Sequence, residues 1–282
     1  MASSELLASV EITGRADGGR VTARAVIADA WGIVYAQGGV VMATMLHSAE
    51  LVLGRGDLRL SNATATFCRP VPCGPVTIEV DVLRSGRTGA QIHVVLRCAG
   101  DDDPSPNAVA TVVCIADAAG WPDRRGVTRP AALGVPPHDE APRLGAGADG
   151  RPATNFFDQT DWRAAADQPP GALRKLAWFS FRETPLLPDG TWVPAMLAVP
   201  ADALGLAVVS SVADVMGPIT APSLQIGLQL CAPARGHWLG IDSVCIDTHG
   251  ATATGVATLW DTEGTLVGSA TQTAALRRLP AR

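Results

Sequence analysis

The chain of 282 residues carries 27 acidic and 22 basic side chains, a net charge of −5 that gives no electrostatic reason to expect a nucleic-acid partner. A 47% hydrophobic composition supplies a sizeable core and excludes global disorder. No uninterrupted apolar run approaches the roughly 20 residues of a membrane span, and the length suits two ordinary domains or one large one.

Lys175 is the only lysine, so nearly all positive charge is arginine. The six cysteines are scattered, with no CxxC pair and no histidine at metal spacing. They read as free thiols in a reducing compartment rather than as a disulfide framework. The N-terminal stretch MASSELLASVEITG lacks a basic region followed by an apolar run, which predicts a cytoplasmic protein without a signal peptide.

In chain order, Ala23 to Ile33 alternates apolar and polar residues as a strand does. Gly38 and Gly39 then open GGVVMATMLHSAELVLG, whose apolar positions recur at helical spacing up to Gly54. The small residues at its start permit close approach of the backbone to a helix or a ligand. From Asn62 to Ile115 strand signals dominate and predict an antiparallel meander of strand, turn and strand. A helix followed by such strands implies α+β, with the helix packed on a sheet. Gly120 to Arg151 is rich in Pro, Gly, Arg and Ala without a sustained period and reads as an exposed linker or crossing loop with solvated charges.

Order resumes with TNFFDQTDW and the aromatic-rich strand LRKLAWFSFRET. Pro200 to Met216 is read as a second helix, with Asp202 near its start as a cap or a charge opposing the dipole. A second meander follows: SLQIGLQLCAP, HWLGIDSVCIDTHG, ATATGVATLWDTEG and TLVGSATQTAALRR.

The two meanders repeat each other. ATATFCRPV parallels QIGLQLCAPA, VTIEVDVLRSGRTGAQIHVVLRCAG parallels WLGIDSVCIDTHGATATGVATLWD, and AVATVVCIA parallels LVGSATQTAAL. Pairing Pro70 with Pro233 and Gly86 with Gly250 puts those matched residues 163 to 164 apart, and laying AVATVVCIA beside LVGSATQTAAL sets Gln272 opposite Val113. One unit, helix plus antiparallel strands, therefore occurs twice: residues 1–118 and 152–282, joined by a linker at 119–151.

With YAQGGVVMATMLHSAE and FCRPVPCGPVTIEVDVLRSGRTG in the first half, and SVADVMGPI, PSLQIGLQLCAP, HWLGID and LWDTEGTLVGSATQTAALR in the second, the chain resembles the double hot-dog acyl-CoA thioesterases, similar to bacterial thioesterase II. The resemblance implies a tandem hot-dog, each unit a long central helix wrapped by an antiparallel β-sheet. It implies hydrolysis of a fatty-acyl or related thioester, on CoA or an acyl carrier, by activated water and without a cofactor or metal. Homo-oligomers are common in such families.

The resemblance also implies a trio in the second half: Asp214 as the family's carboxylate near the central helix, Ser223 as the hydroxyl opening the next strand, and Gln272 as the glutamine of the last strand. A carboxylate accepts a proton from water, while a hydroxyl and an amide hold the water and donate to oxygen. Backbone N–H groups at Gly38 and Gly39, at a helix N-terminus, are candidate donors to the substrate oxyanion. Gln225 departs from the family, which often has an Asp two residues after the Ser/Thr. Because the first half has no matching Asp/Gln pair, one working site per chain is expected. Two other readings are a catalytically silent hot-dog protein that binds acyl thioesters or serves as an assembly partner, and an enoyl-thioester hydratase. No GxSxG elbow occurs, and the five histidines make no triad or metal spacing.

Overall fold

A computed structural model describes residues 3–15, 19–100, 103–117, 124–134, 137–145, 154–165, 169 and 171–279, with the side chains of Arg15, Ser210, Ala213 and Asp214 outside that description. The first half runs α1 (Ser3–Ala8), β1 (Glu11–Arg15), β2 (Val21–Ile27), a 3-10 turn at Asp29–Trp31, α2 (Gly38–Leu53), β3 (Leu58–Phe67), β4 (Gly74–Ser85), β5 (Gly89–Cys98) and β6 (Ala108–Ala116). The second runs α3 (Phe156–Gln159), β7 (Thr160–Ala164), β8 (Arg174–Phe181), a 3-10 turn at Pro194–Leu197, α4 (Ala198–Ala201), α5 (Leu204–Met216), β9 (Ile219–Thr220), β10 (Ser223–Leu230), β11 (Leu239–His249), β12 (Thr252–Asp261), β13 (Leu266–Ala275) and β14 (Arg277–Arg278).

Twelve strands form one antiparallel sheet in the order β1-β2-β4-β5-β6-β3-β10-β13-β12-β11-β8-β7, and β14 pairs with β9 separately. Read outward from the β3–β10 junction, the two halves have the same strand order, which is the duplication seen in three dimensions. Equivalent backbone bonds recur. Cys68 and Arg69 both donate to the Asn107 carbonyl, and Cys231 and Ala232 both donate to that of Val267. Likewise Ala36 donates to Val71 and Trp192 donates to Ala234. β4, β5 and β6 form the expected meander, but β3 leaves it to pair with β6 and β10. The Cys68–Cys73 link carries the chain from β3 to β4, two strands beyond β6.

Alternation explains the sheet. Val76, Ile78 and Val80 on β4, with Ile92, Val94 and Leu96 on β5, project into one core. α2 sits in that core, and its first three turns, Gly39 to Ala49, are buried almost throughout and mostly apolar, as a helix packed on all sides must be. Its polar interior residues are satisfied internally, with Thr44 Oγ1 donating to the Val40 carbonyl at 2.9 Å and Ser48 Oγ to that of Thr44 at 2.8 Å. Gly54 ends the helix in the left-handed region at φ 61° and returns its N–H to the Glu50 carbonyl.

Three sequence expectations change, the first being that the strand read over Ala23–Ile33 stops at Ile27 and gives way to the 3-10 turn. The helix read over Pro200–Met216 is broken: α4 stops at Ala201 and α5 begins at Leu204. The sheet takes the backbone groups that a continuous helix would bond internally. Leu204 N–H donates to Gln272 Oε1 at 2.9 Å, and the Ala203 carbonyl accepts from Ser243 Oγ at 3.0 Å. Nor is the stretch 119–151 simply exposed, because Leu133 and Ala141 are buried against Trp178 and Trp260 on the outer face of the second half. Gly240, the partner of both tryptophans in register, leaves room for Leu133; a Cβ there would lie 2.6 Å from Leu133 Cδ2. Among the described residues no helix is long and apolar enough to cross a membrane.

Candidate active site

The break between α4 and α5 presents a carboxylate. Asp202 has φ −79° and ψ 56°, outside the helical region, so its side chain leaves the helix line and meets the first residues of α2 and the inner face of β10 and β13. Ser223 Oγ donates to Asp202 Oδ1 at 2.8 Å. Gln272 Nε2 reaches the same oxygen at 2.5 Å and Ser223 Oγ at 2.7 Å. The other oxygen, Oδ2, accepts from Gln37 Nε2 at 2.8 Å and from Gly39 N–H at 3.0 Å. Donors from both halves of the chain thus hold one carboxylate.

Local sequence explains each position. A β-bulge lies between Ser223 and Gln225 in the β10–β13 ladder. Bulges re-aim side chains, and this one turns Ser223 to the face of buried Ile226 while Leu224 and Gln225 are exposed. On β13 the inward row is Gly268, Ala270, Gln272 and Ala274, so the one long polar side chain rises between small ones. Gly255, opposite Gln272 on β12, leaves room for Leu204; a Cβ there would lie 2.3 Å from Leu204 Cδ1. That close fit lets the α5 N-terminus reach Gln272 Oε1 and so fixes which end of the amide faces Asp202.

Gly38 and Gly39 serve close approach. A Cβ on Gly38 would lie 2.9 Å from Asp202 Oδ2, and one on Gly39 would lie 2.3 Å from the Ala198 carbonyl oxygen. Because Gly39 N–H is given to Asp202, it is not the free oxyanion donor expected from sequence.

Burial raises the Asp202 carboxyl above its ordinary value, and hydrogen bonds from Ser223, Gly39, Gln272 and Gly38 oppose that rise. Asp202 and Ser223 are half-buried and Gln272 is 6% exposed. The arrangement is a desolvated, hydrogen-bonded carboxylate adjoining a hydroxyl, able to take a proton from a small molecule at the hydroxyl.

Ser223 and Gln272, both singled out from sequence, come together; the carboxylate they meet is Asp202. Asp214 lies in the last turn of α5, and its side chain is outside the described residues. Ten residues of helix, about 15 Å along the axis, lie between Leu204 and Asp214. The signal for Asp202 was present in PADALG, where Pro200, Asp202 and Gly205 within six residues mark a helix break.

Among the described residues the first half holds no counterpart of this trio. β3 carries the equivalent bulge, between Leu60 and Asn62, which aligns Leu60 with Ser223 and Val112 with Gln272. Val113, the match expected from sequence, is one residue out of register and points to the other face. The equivalent bonds at Ala36 and Trp192 set Leu46 opposite Asp202. Leu46, Leu60 and Val112 are all buried in the core. Among the described residues no cluster of three His, Cys, Asp or Glu side chains could hold a metal ion.

The acyl-CoA thioesterase N-terminal domain matches residues 27–115, and the acyl-CoA thioesterase C-terminal domain matches residues 133–276. Among solved structures, a conserved hot-dog-fold protein of unknown function from Alicyclobacillus acidocaldarius aligns over 100% of both chains, with TM-score 0.77 and 16% identity. Acyl-CoA thioesterase II from Mycobacterium marinum aligns over 98% of each chain, with TM-score 0.71 and 21% identity. A tesB protein from Mycobacterium avium subspecies paratuberculosis covers 98% of this chain and 100% of its own, with TM-score 0.72 and 17% identity. At these identities the likeness concerns the fold. No curated protein matches the chain.

Proposed function

The chain belongs to the acyl-CoA thioesterase family, and we propose that it hydrolyses a fatty-acyl or related thioester by direct attack of water, with Asp202 as the base. The family makes it a thioester hydrolase; the residue roles and the substrate are our reading. We also infer that the mirrored strand order and the two helical segments constitute a tandem of hot-dog units.

The observation that carries the reading is the shared contact of Ser223 and Gln272 with Asp202 Oδ1. Each Asp202 oxygen already accepts at least two hydrogen bonds. Ser223 Oγ accepts one, from Gln272, and donates its proton to Asp202. A hydroxyl oxygen has two lone pairs, so one remains for a water. That water's proton passes to Ser223 Oγ as the serine proton passes to Asp202 Oδ1, and the water oxygen bonds to the thioester carbonyl carbon. Collapse of the tetrahedral intermediate breaks the carbon–sulfur bond, and the departing thiolate recovers the proton from Asp202. The products are a carboxylic acid and a free thiol. Burial raises the Asp202 carboxyl above its ordinary value, which makes it a stronger proton acceptor than an exposed carboxylate.

The test is thiol release from short-, medium- and long-chain acyl-CoA, followed from the first turnover. Turnover without an initial burst supports direct attack by water. A burst equal to the enzyme concentration signals an acyl-enzyme and contradicts it. Background rates on every chain length contradict the hydrolase reading of the site.

A further inference from the structure

We propose that Gln37, from the first half, is a positioning residue that holds Asp202 Oδ2 so that Oδ1 faces Ser223 and Gln272. The proposal rests on Asp202 being the base and adds a residue outside the trio.

Gln37 is the N-cap of α2, a place where Ser, Thr, Asp and Asn are strongly preferred. Any of these would satisfy Val40 N–H. Gln37 does so through Oε1, at 2.8 Å. That bond fixes the amide the other way round from the cap, directing Nε2 at Asp202 Oδ2 at 2.8 Å, with the Val199 carbonyl as second acceptor at 3.5 Å. Serine, threonine and aspartate offer a cap acceptor but no amide donor, and asparagine is one methylene shorter. The residue that breaks the cap preference is the one that both caps α2 and donates to the carboxylate. It is 6% exposed, so a solvent role does not explain its polarity. Gln272 is pinned in the same manner, its Oε1 held by Leu204 N–H at the start of α5. Two amides, each oriented by a helix N-terminus, thus clasp Asp202 from opposite halves.

Few other charges bear on Asp202. α4, β10 and β13 carry no other titratable side chain. α2 carries His47 and Glu50, more than two turns from Gln37, and β12 carries only Asp261, in the turn at its far end, where Asp261 Oδ1 accepts from Glu263 and Thr265 N–H. α5 adds Asp214 in its last turn, and β11 adds Asp242, Asp247 and His249, with Asp242 paired to Arg174.

Gln37→Glu keeps an acceptor for Val40 N–H and replaces the donor to Asp202 with a negative charge. Two carboxyl groups that share a site cannot both ionise easily. Gln37→Met removes both functions at similar length. The experiment measures kcat/KM against pH, and separately titrates the Asp202 carboxyl carbon by NMR, assigned by its absence in Asp202→Asn. In Gln37→Glu both the acid limb and the Asp202 titration move up by about one pH unit or more. In Gln37→Met the Asp202 titration also lies above wild type, and kcat falls more than KM changes. Titrations that superimpose on wild type in both variants overturn the proposal. If Asp202→Asn retains wild-type turnover, Asp202 is not the base; the NMR titration still decides whether Gln37 holds it.

Discussion

Gln272 Nε2 lies 2.5 Å from Asp202 Oδ1, although 70 residues separate the two in sequence. The contact exists because β13 is small-sided around Gln272, and because Leu204 N–H fixes the far end of the amide. Gln272→Leu removes both donors from the site, and with them the acceptor of Leu204 N–H, at similar side-chain size. It should lower kcat by roughly 10²-fold or more, the usual effect of losing one preorganised donor, with little change in KM. Steady-state kinetics with circular dichroism as a folding control measures this; a fall of less than threefold contradicts the assigned role.

The duplication was legible because alternation and turn residues survive divergence: ATATFCRPV and QIGLQLCAPA still end at the matched Pro70 and Pro233. Ser223 and Gln272 were legible as polar residues at fixed places on that repeat. Asp202 was legible as a charge near a helix start but not as the carboxylate of the site, because apolar periodicity runs across the helix break, and the break depends on bonds with Gln272 and Ser243 that lie far along the chain. The register of Gln272 against Val112 needed the paired bulges, which leave no mark in the sequence pattern. Gln37 reads in sequence only as the residue before two glycines.

Gly39 shows how tightly α2 meets α4. A Cβ would lie 2.7 Å from Val199 Cα as well as against the Ala198 carbonyl, both backbone atoms that cannot swing aside. Gly39→Ala should cost about 1–3 kcal/mol by overpacking, and should reduce turnover by displacing the N–H that holds Asp202. Urea midpoints read the first effect, and kinetics on the folded fraction reads the second. Unchanged values in both measurements contradict the packing account.

Glu50 gives a pH dependence with a definite sign. Burial pushes its carboxyl up from the ordinary glutamate range to about 7. The folded state therefore binds the proton more tightly than the unfolded chain does, and wild type loses stability as pH rises through that window. Glu50→Gln lacks this loss. Above pH 7 it should be more stable than wild type by on the order of 3 kcal/mol, and the two should converge below the unfolded pKa. Denaturant unfolding at both ends of the window checks this. A variant that is less stable at high pH contradicts it.

Leu46, Leu60 and Val112 fill the place in the first half that Asp202, Ser223 and Gln272 occupy in the second. One binding event per chain is expected. Calorimetric titration with a non-hydrolysable acyl-CoA analogue should give a stoichiometry of one; a value of two contradicts the apolar reading of the first-half position.

The role of Asp202 is tested most directly by comparing acyl-CoA turnover in Asp202→Asn and Asp214→Asn. The account predicts a loss of about 10²–10⁴-fold in Asp202→Asn, the range expected when a positioned base is removed, with Asp214→Asn equal to wild type. A wild-type rate in Asp202→Asn, or an equivalent loss in Asp214→Asn, would contradict it.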